Sequence, residues 1–256
     1  MAQAKTVTEY ERKQRVTRGA LLAALLCAVV FVVGVGAHLV NLSNLSVAEL
    51  SQQTAQNVTK DDDSDKFTSK QVVVPSLASF IGGEYDEIVE TLGTGAQATS
   101  MRSVKDVDSA VRTRVDIALT SGVANSSAGT PTVHLGLNED NVVIQAGYTV
   151  NMRFLGYGSL SFIDAAENYH VIETTLAEAG LLVAEGSVKV PEAKADYAIY
   201  GHDGVTLAKE DCTFEGVSEV GYAWTGELTY DYTEANAENN LAYTVRMVTV
   251  TVIGEQ

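Results

Sequence analysis

The chain has 256 residues, and its 17 basic and 33 acidic side chains give a formal net charge of −16. A surface this acidic repels phosphate backbones, so we expect no nucleic acid among the partners. The charge is uneven, because the first 18 residues hold five basic and two acidic side chains (+3), which leaves twelve basic and thirty-one acidic side chains (−19) for the rest. Residues 1–18 therefore form a basic tail.

An apolar segment over residues 19–40 follows this tail. Its 22 residues carry no formal charge, and a helix of that length spans about 33 Å, close to the ~30 Å hydrocarbon core of a bilayer. Basic residues beside such a segment stay in the cytoplasm. The sequence predicts one transmembrane helix held in the lipid bilayer, with residues 1–18 in the cytoplasm and residues 41–256 outside the cell membrane.

A cleaved signal peptide is the alternative interpretation of the same segment. A basic n-region, an apolar h-region and the small residues up to Ala37 are typical of such signals. An h-region usually has about 7–15 residues, and this apolar stretch is longer, which favours a retained anchor. Cleavage after Ala37 would instead release a secreted, soluble protein.

Residues 41–70 are rich in polar side chains and predict a stalk between the anchor and a folded region. The acidic run at 61–65 (Asp-Asp-Asp-Ser-Asp) resembles the start of a calcium-binding EF-hand loop. Such a loop needs glycine at its sixth position and glutamate at its twelfth, where this chain has Lys66 and Val72. We therefore expect an acidic linker here.

Three short segments recur in the same order further along the chain. The pairs are residues 79–81 and 161–163 (Ser-Phe-Ile), 103–105 and 187–189 (Ser-Val-Lys), and 148–152 and 243–247 (Tyr-Thr-Val-x-Met). Such recurrence indicates an internal repeat, with chance recurrence of common strand sequences as the alternative. The repeat predicts two related tandem units, 71–158 and 159–256.

Each unit is predicted to be a helix followed by several strands. Apolar residues recur at helical spacing over 83–92 and 164–179, and Gly93 and Gly180 follow as stop signals. Alternating and β-branched residues predict strands, and a polar segment predicts the loop of a long hairpin at residues 233–240. The predicted strands are 111–120, 142–146, 148–155, 224–232 and 243–253. The predicted class is α+β, with antiparallel sheet packed by one helix in each unit.

We expect neither a cofactor nor a metal. Residues 93–98 fit a dinucleotide-binding fingerprint by letter, but that motif must follow a strand and open a helix. Here the run follows a predicted helix, so it predicts a helix stop and a turn. His134 and His170 have no carboxylate or thiol partner at zinc spacing.

The strongest catalytic candidate is Cys212 with His202 and Arg246. A thiolate nucleophile needs a base and a cation that stabilises developing negative charge. The two carboxylates that precede Cys212 would raise the thiol pKa and weaken this nucleophile. The only other cysteine, Cys27, lies in the apolar segment, so the external region cannot close an internal disulfide.

Four aromatic residues form a second candidate site, a binding surface made of Tyr222, Trp224, Tyr230 and Tyr232. Their even spacing in one predicted hairpin places them on one face of a sheet. Tyrosine and tryptophan are common anchors of protein interfaces. The alternative is that this face is the protein core.

Together these features predict a single-pass anchored protein with a non-enzymatic binding or scaffold role in a bacterial cell envelope, where its partners would be proteins. An anchored envelope enzyme that uses Cys212 is one alternative function. A secreted binding protein, released by cleavage of the apolar segment, is the other. The sequence does not specify the oligomeric state.

Overall fold

The computed structural model describes residues 66–120 and 129–254, and eight antiparallel strands in this part of the chain form one sheet. The strands are β1 (Ala96–Ser103), β2 (Thr113–Leu119), β3 (Thr132–Leu137), β4 (Val143–Asn151), β5 (Ala198–Tyr200), β6 (Leu207–Val217), β7 (Ala223–Asp231) and β8 (Val245–Ile253). Their order across the sheet is β1-β2-β3-β4-β8-β7-β6-β5. Its two edges are therefore β1 and the three-residue β5.

One face of this sheet is the core face, and it arises from alternating side chains. Successive side chains of a strand point to opposite faces, and β-branched residues pack well on such a surface. Along β7 and β8 the buried positions are every second residue: Trp224, Gly226, Leu228 and Tyr230, then Val248, Val250 and Val252. The register pairs Val250 with Gly226 and with Tyr148 of β4, so these rows continue across the sheet.

Three short α-helices accompany the sheet, and the first two bury side chains in the core cluster. They are α1 (Tyr85–Leu92), α2 (Val171–Glu178) and α3 (Thr233–Glu238). Helix α2 lies against β7 and β8, and its Ile172 and Leu176 are fully buried. Gly226 permits this close approach, because a Cβ atom there would lie 2.5 Å from Cγ2 of Ile172.

The predicted class, α+β with two tandem units, is wrong. The described residues form a mostly antiparallel β structure with a few short helices. Strand β4 comes from the segment 71–158 and β8 from the segment 159–256, yet these two strands pair along seven residues from Gln145 to Asn151. Both segments therefore contribute to a single sheet, and neither has a sheet of its own.

One of the sequence matches that indicated the repeat pairs two residues whose structural environments differ. Tyr148 is fully buried in the middle of β4, whereas its counterpart Tyr243 is 51% exposed in a 3-10 turn before β8. The same residue type therefore has a different structural role at these two positions. Whether the recurrence reflects a duplication or common strand sequences such as Thr-Val is not decided by this difference, and the internal repeat stays a prediction.

Of the two predicted helices, one is confirmed. The prediction over 83–92 corresponds to α1, which ends at Gly93 with a positive φ of 79°, and the chain then enters β1 as a helix stop and turn require. The prediction over 164–179 is only partly correct. A π-helical turn at Asp164–Asn168 precedes α2, and His170 between them has a left-handed φ of 47°.

The strand predictions were mostly correct in position. The segments 111–120 and 243–253 contain β2 and β8, and 224–232 covers all of β7 except its first residue. The segments 142–146 and 148–155 together correspond to β4 and a following 3-10 turn. The predicted loop at 233–240 does join the paired strands β7 and β8, but it contains α3. Strands β1, β3, β5 and β6 were not predicted.

The predicted transmembrane segment, 19–40, lies outside the described residues, as do the basic tail and residues 41–65 of the stalk. Within the described ranges, no helix has the length and apolar character needed to cross a bilayer. The last residues of the predicted stalk are docked on the fold. Phe67 pairs with Tyr157 in an isolated bridge, and the Thr68 N–H donates to the Gly156 carbonyl at 2.8 Å.

Candidate binding surface

The second face of the sheet is polar. Side chains that alternate with the core positions point to this face, and they are half-buried. We call the following set the polar face: Asp116, His134, Thr149, Thr225, Glu227, Thr229, Thr249 and Thr251. The strand register places them in adjacent rows, since Asp116 is opposite His134, Thr149 opposite Thr249, and Thr251 opposite Thr225.

A chain of hydrogen bonds crosses five strands on the polar face. The Arg102 guanidinium of β1 lies 2.8 Å from one oxygen of Asp116, and Nδ1 of His134 lies 2.8 Å from the other. On the far side of the ring, Nε2 of His134 is 2.9 Å from the Thr149 hydroxyl, which is itself 2.9 Å from the Thr249 hydroxyl. We call this set the five-strand network.

The partners fix the proton positions in this network. Burial acts to raise the pKa of Asp116, but the hydrogen bond and charge of His134, together with the charge of Arg102, hold that pKa below its ordinary value. An ionised carboxylate only accepts hydrogen bonds, so Nδ1 of His134 carries a proton. When the ring is neutral, Nε2 accepts from Thr149, and Thr149 then accepts from Thr249.

Gly147 gives the polar face its local shape. This residue lies between His134 and Thr251 in the cross-strand register. A Cβ atom on Gly147 would lie 2.9 Å from the Thr251 hydroxyl and 3.6 Å from Cβ of His134. The glycine therefore keeps the imidazole and the threonine row uncovered by an intervening side chain.

A second polar cluster continues the face toward β6. The Thr229 hydroxyl donates to Asp211 at 2.9 Å, and the Lys209 ammonium contacts the other carboxylate oxygen of Asp211 at 2.6 Å. The hydroxyl also lies 3.4 Å from Glu227. Fixed donors and acceptors thus extend over most of the sheet width.

The order carboxylate, imidazole, hydroxyl in the five-strand network matches that of a hydrolytic triad. Acyl transfer also needs free N–H donors that stabilise an oxyanion. Thr149 lies in a strand whose backbone is paired on both sides, with β3 and with β8. Its neighbouring amides are engaged in the sheet, so this arrangement suits a rigid polar surface better than a nucleophile.

A cavity of about 350 Å³ lies at the end of β4. Its described lining residues are Gln71, Asn151, Arg153 and Phe154. The Asn151 side chain accepts the Arg153 N–H at 3.0 Å, so its carbonyl oxygen is already occupied by the turn that follows β4. We assign no ligand to this cavity.

The structure does not join Cys212, His202 and Arg246 by any hydrogen bond or ion pair in the described part of the chain. Cys212 is half-buried on β6 and packs against the core, and His202 is exposed in the turn after β5. The Arg246 guanidinium lies 5.4 Å from the centroid of the Tyr230 ring. Burial, and then the Asp211 charge, raise the pKa of the Cys212 thiol, which disfavours the reactive thiolate.

The four aromatic candidates share one face of the sheet, and it is the core face. Trp224 and Tyr230 are 2% and 1% exposed. Tyr222 and Tyr232 are half-buried and pack against the same core. The Tyr230 hydroxyl donates to the Leu160 carbonyl at 3.1 Å, so this ring anchors the chain before α2 to the sheet.

Sequence reasoning missed the five-strand network. Alternation in Arg114-Val115-Asp116-Ile117 and in Thr132-Val133-His134-Leu135 could have placed Asp116 and His134 on solvent-facing sides of two strands. The pairing of those two residues depends on the β2–β3 register, which alternation alone does not specify. Within the described ranges, no cluster of three or more His, Cys, Asp or Glu side chains is arranged to hold a metal.

Fold and surface together define a class: an antiparallel-sheet protein with one face covered by short helices and the other face polar. Comparison with protein-family models, curated proteins and solved structures finds no match to this chain.

Proposed function

We propose that this protein is a non-enzymatic binding component of a bacterial cell envelope, anchored by residues 19–40, that presents its polar face to a protein partner. The observation that carries the proposal is the five-strand network. It holds five polar side chains at fixed positions on an otherwise uncovered sheet face of the described fold.

Preorganised side chains favour association. Immobilising a flexible side chain at an interface costs about 0.5–1.5 kcal/mol. His134 and Asp116 are each already held by two partners, and Thr149 by two more. A partner that bonds to these half-exposed groups therefore loses less free energy to ordering than it would on a surface of free side chains.

The shape of the surface favours a macromolecular partner. Small-molecule sites are usually concave and mostly apolar, whereas the polar face is a broad sheet surface of hydroxyl, carboxylate and imidazole groups. Polar faces of this kind match the wet, hydrogen-bonded rims of protein interfaces. The anchor is supported by the 22 uncharged residues and the basic tail before them.

Catalysis with Cys212 as the nucleophile is less well supported than the binding role. Its raised thiol pKa and its packing against the core act against a nucleophile. Alkylation of Cys212 in the full-length chain would separate the two functions. Loss of partner binding by a variant of the polar face, with binding retained after alkylation, supports the binding proposal.

Topology is tested by expression of the full-length chain in a bacterial host, followed by fractionation and intact mass measurement. We expect full-mass protein in the membrane fraction, with residues 41–256 cleaved by protease only after the outer face becomes accessible. A soluble species that lacks residues 1–37 would contradict the anchor and support a secreted binding protein.

Binding is tested with a photo-crosslinking amino acid at Thr251, in the polar face. The matched control places it at Ala177, which is exposed on α2 on the opposite side of the sheet. We expect a crosslinked partner from position 251 and a weaker or absent product from position 177. The position-251 product should disappear in the His134→Ala background; equal products from both positions would contradict the proposal.

A further inference from the structure

Strand β1 is an edge strand that is exposed on both faces. It lies at one end of the sheet and pairs only with β2. Gln97, Ala98 and Thr99 are exposed, and Met101, which points to the core side, remains 59% exposed. No helix of the described fold covers this strand on the core side.

Among the described residues, the outward backbone groups of β1 from Ala98 to Ser103 have no backbone partner, whereas the Ala96 N–H donates to the Gly93 carbonyl at 3.1 Å. The Val104 N–H donates to the Arg112 carbonyl, and hydrogen-bonded pairs in an antiparallel ladder recur at every second residue. The N–H and C=O groups of Met101 and Ser103 therefore point away from β2. The same reasoning from the Thr120 N–H, which donates to the Gly95 carbonyl, directs the N–H and C=O groups of Ala98 outward.

This edge differs from the opposite one. Short edge strands, prolines and outward charges are the usual protection against added strands. Strand β5 has three residues, while β1 has eight and contains no proline. Its only charged side chain, Arg102, is held by Asp116 on the polar face. A bulge near Thr99 is the one irregularity along its length.

The charge pattern beside β1 specifies what kind of strand would fit. Arg102 lies directly opposite Arg114 in the cross-strand register, and like charges in that position are destabilising. Asp116 compensates Arg102, but Arg114 is exposed and forms no ion pair with any described residue. Lys105, also exposed, follows β1. These cations stand at one edge of a chain whose net charge is −16.

We propose that β1 binds an extended, acidic segment of a partner protein, which adds to the sheet as a ninth strand. Main-chain hydrogen bonds to residues 98–103 supply the affinity of such strand addition, and side chains supply its specificity. Carboxylates of the segment pair with Arg114 and Lys105. A second copy of this chain fits less well, because its net charge opposes self-association. This inference goes beyond the proposed function, since the polar face can bind without β1.

The test uses the full-length chain in detergent micelles and a ten-residue probe peptide of alternating threonine and glutamate. The matched control peptide has lysine in place of glutamate. We expect hydrogen exchange at the outward amides of Met101 and Ser103 to slow when the acidic peptide is added. The inward amides of Arg102 and Val104, already bonded to β2, should change little.

Two variants separate backbone pairing from charge. Ser103→Pro removes one outward N–H and keeps the inward ladder, and it should abolish protection by the peptide. Arg114→Glu should weaken peptide binding on the order of tenfold. Melting temperatures near that of the parent chain show that both variants fold.

Three outcomes would overturn the proposal. They are absence of protection at Met101 and Ser103 at millimolar acidic peptide, equal binding of the lysine peptide, and protection that rises with protein concentration without peptide. The last would assign β1 to self-association. Because crosslinking at Thr251 does not involve β1, failure here leaves the result for the polar face unaffected.

Discussion

On the core face, Tyr148, Val250 and Gly226 lie side by side in three neighbouring strands and are buried. One residue further along, Thr149 and Thr249 lie side by side on the polar face and are half exposed. A shift of one residue exchanges the two sets, so burial of the core set fixes the register. The polar residues are then held in position by a fold that does not depend on them.

The comparison predicts that the largest loss of stability follows truncation on the core side. Phe162 is 2% exposed, stacks on Tyr197 at 5.3 Å between ring centroids and meets Tyr230 edge-on at 5.4 Å. Phe162→Ala should lower the free energy of unfolding by about 3–5 kcal/mol, measured by denaturant unfolding. Ile163→Ala, at the exposed neighbouring residue, is the control, and equal losses would contradict this placement of the core.

A smaller loss should follow Gly226→Ala, which adds one methyl group to the core face. The new Cβ would lie 2.5 Å from Cγ2 of Ile172, and overpacking of this kind typically costs about 1–3 kcal/mol. The double variant with Ile172→Ala removes the clashing atom, so the two losses should not add. Additive losses in the same unfolding measurement would show that α2 does not press on β7 at this point.

Sequence patterns predicted β7 and β8, whose burial alternates without interruption, and they missed β1 and β6 for physical reasons. Every second residue of β7, and of β8 from Val248 onward, is buried, and all of these residues except Gly226 have large apolar or aromatic side chains. β1 consists largely of small and polar residues exposed on both faces, so it has no apolar period. β6 has buried Glu210 among its inward positions, which disturbs its alternation.

The spacing of the aromatic residues predicted which face of the sheet they share, but not whether that face is a core or an interface. Even spacing placed Trp224 and Tyr230 on one face correctly, yet the same spacing fits a core and an interface equally. The membrane anchor is a different case, because it depends on composition alone and stays a prediction. The five-strand network needed pairings between residues as far apart as Thr149 and Thr249, which no local pattern contains.

On the polar face, His134→Ala should cost only about 1–2 kcal/mol of unfolding free energy, because it removes two hydrogen bonds, one of them to a carboxylate that keeps Arg102 as a partner. Partner crosslinking from position 251 should nevertheless be lost. His134→Asn, which keeps a polar side chain, should recover part of the stability. A stability loss as large as that of Phe162→Ala would show that the two faces are not separable.

The smallest effect is expected from Asp116→Asn, and it should depend on pH. The pKa of Asp116 is lowered in the folded state from its ordinary 3.8, so its ionised form contributes stability above that value and loses it as pH falls through the folded pKa. The parent chain should exceed the variant by under about 1 kcal/mol at neutral pH, and the difference in melting temperature should close as the pH falls from 3.8 through the lowered folded pKa of Asp116. Glu215→Gln, at an exposed carboxylate on β6, is the control. A gap that persists or widens in acid would mean that the carboxylate is not stabilised by His134 and Arg102, and that the five-strand network does not hold its polar groups in place.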